Sequence, residues 1–148
     1  MKSVFDPTTQ KEITDRINSL SINNQAVWGK MQLLQMMAHC ILCDSMYLGK
    51  THIKRTFISR LIGRPMLKIV LKDDAPFRKN TPTVPGLKPV KEAGNLEAKK
   101  QEWISLINEY NNFHNPDFIH PFFGTMTKEQ IGYLSYKHID HHLRQFGA

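Results

Sequence analysis

The stretch from Met31 to Leu48, MQLLQMMAHCILCDSMYL, constrains the fold most, because it must form a helix that other helices surround. It holds neither proline nor glycine and is rich in strong helix formers. Leu34, Ala38, Ile41 and Ser45 make one stripe, and Gln35, His39, Leu42 and Met46 make the adjacent one, so apolar residues nearly encircle it. A helix with that distribution is stable in water only where it is central and buried. The rest of the chain must therefore supply its neighbours.

Three neighbours can be read as amphipathic helices. Asp6 followed by Pro7 is a good start, with Asp as N-cap and Pro at the first helical position. That helix should run to about Ser19, presenting Ile13, Ile17 and Leu20. Asn95 caps another from about Leu96 to Asn111, with Leu96, Trp103, Ile104, Ile107 and Tyr110 at helical spacing. Thr127 opens the last, Gln130 completes a capping box and Gly147 takes the C′ role at its end. No convincing alternating strand is present, and 148 residues suit one domain, so the prediction is a single all-α four-helix bundle over residues 1–148.

The middle departs from this regularity. Gly63 and Pro65 interrupt Lys54–Val70, which should form short helices. Asp73 to Gly94 carries Pro76, Pro82, Pro85 and Pro89 and should be a long loop that wraps the bundle or covers a site.

The histidines carry the chemistry. Ile131, Leu134, Ser135, His138, His142 and Gln145 share one face of the final helix. His138 and His142 therefore lie one turn apart on the core side, the spacing at which two imidazoles can bind one ion. His39 is the one histidine in the nearly all-apolar helix, where an unpartnered ring costs on the order of one to several kcal/mol. Together they predict a divalent metal ion held by His39, His138 and His142. His141 is the rival ligand but sits about 100° from His142 on the wheel, and Asp140, about 200° from His138, should face solvent. His52, His114 and His120 fall in connecting segments, with His120 expected to pack in its loop. Cys40 and Cys43 form a CxxC without the βαβ context of a redox pair, so they should be inert core residues.

Charge bears on partners. The chain carries a net +7, with eleven basic and two acidic residues between Lys50 and Lys91, a local +9 that leaves −2 elsewhere. Such a segment can attract an anionic small molecule, but nucleic-acid binding is disfavoured against a simply solvated surface. The first sixteen residues lack the apolar run of a signal peptide, no stretch is long enough to span a bilayer, and there are two cysteines. A cytoplasmic protein without membrane contact is expected.

The ending HPFFG then YKHIDHHLRQFG, with WGKM and MMAHC near the start and KNTPTVP in the loop, resembles the DinB/YfiT-like superfamily of metalloenzymes from Phe5 to Gly147. His39, His138 and His142 fall on that group's three metal-ligand positions, whereas Leu143 and Arg144 stand where many relatives have Arg-Gly. The resemblance implies an up-down-down-up bundle, homodimers among many members, and zinc or nickel as the metal. It also implies thiol chemistry, because relatives include S-transferases and an isomerase that use low-molecular-weight thiols such as bacillithiol or mycothiol. An open coordination position could instead activate water in a metal-dependent hydrolase, and a non-enzymatic DNA or stress-response binding protein is a further alternative. Asp44, Tyr47 and Tyr136 are unranked candidates for a general base.

Overall fold

The computed structural model describes residues 1–88 and 94–148; Pro89 of the expected loop and Lys91 of the basic segment lie outside the described residues. Among the described residues five α-helices form: α1 (Pro7–Ser19), α2 (Leu33–Tyr47), α3 (Phe57–Val70), α4 (Leu96–Glu109) and α5 (Lys128–Gln145). Their starts follow from the caps. Asp6 accepts the Thr9 N–H at 2.8 Å, Asn95 accepts the Ala98 N–H at 3.1 Å, and Thr127 and Gln130 cap each other reciprocally. Past α5, Gly147 takes φ +74°, the left-handed cap conformation.

Four of these helices make the bundle. Both α1 and α2 pack against α4 and α5, so around the ring the order is α1, α4, α2, α5. The interior between them holds Ile13, Ile17, Met36, Met37, Trp103, Ile107, Ile131, Ile139 and Leu143, all fully buried. Each large apolar side chain removed from water contributes about 1.5–3 kcal/mol, which outweighs the weak intrinsic stability of helices this short. No residue from Leu33 to Leu48 is exposed, as expected for the central helix.

The middle differs from expectation. Within Lys54–Val70, the stretch Phe57–Val70 forms one continuous helix, α3, that passes through both Gly63 and Pro65. Pro65 removes a helical N–H, but it and Leu61, whose carbonyl is thereby freed, are exposed and water can take the bond. Gly63 faces inward, where an added Cβ would lie 1.9 Å from the Phe122 carbonyl oxygen, so only glycine permits this approach. The HPFFG stretch makes a small antiparallel hairpin, β1 (Ile119–His120) and β2 (Gly124–Thr125), with Ile119 opposite Thr125 and His120 opposite Gly124. α3 rests on β2. Among its described residues the long loop carries a 3₁₀ turn, Pro85–Leu87, which packs against α2.

Asp140 also differs from expectation. It is buried, bonded to Arg16 of α1 at 2.8 Å and to Arg144 at 2.7 Å. The side of α5 opposite the histidines meets α1 rather than water.

Candidate metal centre

Packing of α2 on α5 brings His39, His138 and His142 together. The ring centroids lie 4.9 Å apart for His39–His138, 4.9 Å for His39–His142 and 4.7 Å for His138–His142, a nearly equilateral triangle. One ligand nitrogen from each falls within 4.8 Å of the others. His39 and His142 are buried and His138 is half-buried.

Outer hydrogen bonds decide which nitrogens face inward. His39 Nδ1 is 2.7 Å from the Leu87 carbonyl oxygen, which can only accept, so Nδ1 carries the proton and Nε2 is left with its lone pair. Gln145 donates its Nε2–H to the Trp28 carbonyl at 2.8 Å, which orients the amide. Its Oε1 then accepts from His142 Nδ1 at 2.9 Å, and His142 Nε2 also keeps a lone pair. His39 Nε2 and His138 Nε2 stand 2.9 Å apart. Since His39 is protonated on its far side, His138 donates and His39 accepts. One proton thus occupies a point on which nitrogens from three rings converge. Zinc–nitrogen bonds of about 2.0–2.1 Å place neighbouring ligands a little over 3 Å apart, so the donor set fits a divalent ion after a small opening.

The two outer partners come from unlike places. Gln145 is one step further along the histidine face, and its backbone carbonyl also accepts the Val27 N–H at 2.8 Å. Leu87 belongs to the 3₁₀ turn of the proline-rich loop. Through Leu87 the described part of that loop therefore reaches the site. Partners of this kind orient ligating imidazoles and raise their basicity.

The other candidates are sorted by the same geometry. The His141 ring is 5.1 Å from His142, yet it leans on Trp28 and Phe77 and lies outside the ligand cluster. His52 and His114 are exposed. Cys40 contacts Met36 in the core, but Cys43 Sγ lies 3.9 Å from both nitrogens of His39 and 3.9 Å from His138 Nε2. The CxxC is thus no pair: one thiol is core filling and the other sits over the His39 ring. Tyr136 lines an open cavity with Lys2, Tyr133 and Arg144 that none of the three histidines reaches.

His120 is more than loop packing. Its Nδ1 accepts the N–H groups of Phe122 and Phe123 at 3.0 and 3.1 Å, which fixes the neutral ring as the Nε2–H form. It is buried beside Tyr47 and close enough to His138 and Arg55 to interact with both electrostatically. Arg55 in turn lies against Gly124 and donates to the Ser59 carbonyl at 3.0 Å, with its Nε unpartnered among the described residues. The sequence offered only the run HPFF for His120 and a charge among many for Arg55.

Burial makes the cluster sensitive to acid. It lowers His39, moves His138 well below the usual histidine range, and pushes His142 and His120 each down to about 3. In the unfolded chain these rings take a proton below about pH 6.5, while the folded rings refuse it. Their contribution to stability is complete above pH 6.5 and is lost as pH falls towards 3. Asp44, whose carboxyl burial raises to about 6, acts oppositely, but it is one group against these four. Metal-free protein should lose several kcal/mol between pH 7 and pH 4, read from urea midpoints. A flat profile over that range would show that the rings are not sealed from protons.

A family described as "Protein of unknown function (DUF1569)" matches residues 4–148 of the chain. No curated protein and no solved structure matches it.

Proposed function

Because the chain belongs to the DUF1569 family, which carries no assigned activity, we propose from its own geometry that it is a metal-dependent enzyme. His39, His138 and His142 hold one divalent ion, zinc or nickel, and the reaction is transfer to or from a low-molecular-weight thiol. The observation that carries this reading is the convergence of three buried rings, two of them bonded outward through Nδ1. An ion held by three histidines with an open position binds a thiol as its thiolate, the reactive nucleophile. The resemblance to the DinB/YfiT-like group favours thiol over water at that position.

The chain's residues supply the rest. Leu87 and Gln145 keep the ligand nitrogens aimed inward, and the half-buried edge of His138 leaves a way in. Of the basic segment, Arg55 lies close to His120, which in turn lies close to His138, and it gives an anionic cosubstrate its countercharge. His120 offers a fixed N–H donor on the same side.

Cobalt(II)-loaded protein should develop a thiolate-to-metal charge-transfer band when bacillithiol or cysteine is added, in Cys43→Ser as in wild type. Zinc- or nickel-loaded protein should consume the thiol in the presence of an electrophile. Metal binding with no response to any thiol would sink the transferase reading and leave the metal site standing.

A further inference from the structure

α3 is turned inside out relative to an ordinary surface helix. Phe57, Ile58, Leu61, Ile62, Met66 and Ile69 are all exposed, Phe57 to 76% and Ile58 and Leu61 each to 67%. They are six of the ten exposed large hydrophobic side chains among the described residues, so the apolar surface of the molecule is concentrated on this helix. On a wheel of 100° per residue they fill one arc of about 180°. The residues that face the protein are Ser59, Gly63 and Leu67, on the opposite arc, where Gly63 meets the Phe122 carbonyl. Arg60, Arg64 and Lys68 stack at four-residue steps along one margin of the apolar arc. Arg64 reaches the Thr125 carbonyl with one nitrogen, and Arg60 and Lys68 are exposed.

Charge selects the occupant of this face. From Lys50 to Lys72 there are seven basic residues and no acidic one. A second copy of the chain would bring two such stripes to one patch with no acidic residue in the segment to answer them. A nucleic acid would meet the cations and leave the apolar arc in water. An anionic lipid surface satisfies both, because apolar side chains enter the acyl boundary while Lys and Arg reach the headgroups. We propose that α3 is a membrane-surface helix that docks the protein on anionic bilayers. The expectation of no membrane contact follows from the lack of a span, and no helix among the described residues is long and apolar enough to cross. Lying on the surface asks for less: α3 is about 21 Å long, enough to lie flat. The proposal is independent of the metal reading.

The test is co-sedimentation of the full chain with vesicles of phosphatidylcholine alone and with added phosphatidylglycerol. Wild type should bind the anionic vesicles, less at high salt, and leave the zwitterionic ones. Ile58→Asp with Leu61→Asp should abolish binding. Arg60→Glu with Lys68→Glu should weaken it more than tenfold, at about fivefold per basic side chain near the surface. These positions are exposed, and unchanged circular dichroism would show that the variants fold. Binding that survives loss of the apolar pair, or no binding to anionic vesicles, overturns the proposal. So does a dimer in sedimentation velocity that Leu61→Asp dissociates, which would make the face a contact between copies.

Discussion

Purified wild-type protein is expected to carry close to one equivalent of a divalent ion, and His39→Ala and His142→Ala almost none. Each substitution removes one of three converging nitrogens, and the two that remain cannot enclose an ion. The loss should exceed the 10–100-fold typical for removing an outer partner of a ligand. Gln145→Ala supplies that smaller effect, since it frees His142 Nδ1 but leaves the ring. His141→Ala should retain full metal, because its ring, though 5.1 Å from that of His142, leans on Trp28 and Phe77 and offers no nitrogen to the ligand cluster. The measurement is elemental analysis of dialysed protein together with the thermal midpoint before and after chelation. Binding to the folded state alone stabilises it by about 4 kcal/mol when free metal is a thousandfold above Kd, so chelation should lower the wild-type midpoint and barely move that of His142→Ala. Unchanged metal content in both ligand variants would remove the centre, whatever the activity.

The trio was legible because two independent signals coincide. Spacing puts His138 and His142 on one face, and an apolar helix isolates His39. The caps were legible because they are local: Asp6, Asn95 and Thr127 each act within three residues of themselves. Contacts made between distant segments were not. The Leu87 carbonyl that orients His39 is a backbone group forty-eight residues away, and no residue type marks it. Asp140 looked solvent-facing because a wheel shows only its angle from His138, not that α1 covers that side with Arg16. The continuity of α3 failed for a related reason. Gly63 and Pro65 break helices by propensity, but here one is required by the nearby Phe122 carbonyl and the other stands in water. Propensity says what a residue costs in isolation, and the neighbour decides whether the cost is incurred.

The same reasoning gives Asp44, one of the general-base candidates, a large structural effect. Its carboxylate lies on α2, 1% exposed, and accepts from Trp103 Nε1–H at 2.8 Å, Tyr110 O–H at 2.7 Å and Ser135 O–H at 3.1 Å. It thus ties α2 to α4, to the turn after it and to α5. Asp44→Ala would strand three buried donors, each costing about 1–3 kcal/mol, so a loss of several kcal/mol in urea denaturation is expected. Asp44→Asn should recover only part of it, because the amide can accept from the two hydroxyls only by turning its own N–H groups towards the indole N–H. Burial nevertheless raises the Asp44 carboxyl from 3.8 to about 6 against the pull of its three donors. The folded protein then holds that proton more tightly than the unfolded chain, and the stability this brings is present at low pH and lost as pH rises through 6. Relative to Asp44→Asn, wild type should therefore gain roughly 2 kcal/mol between pH 7 and pH 4. Folded Asp44→Asn should keep its metal and its thiol response, which a general base could not lose without effect.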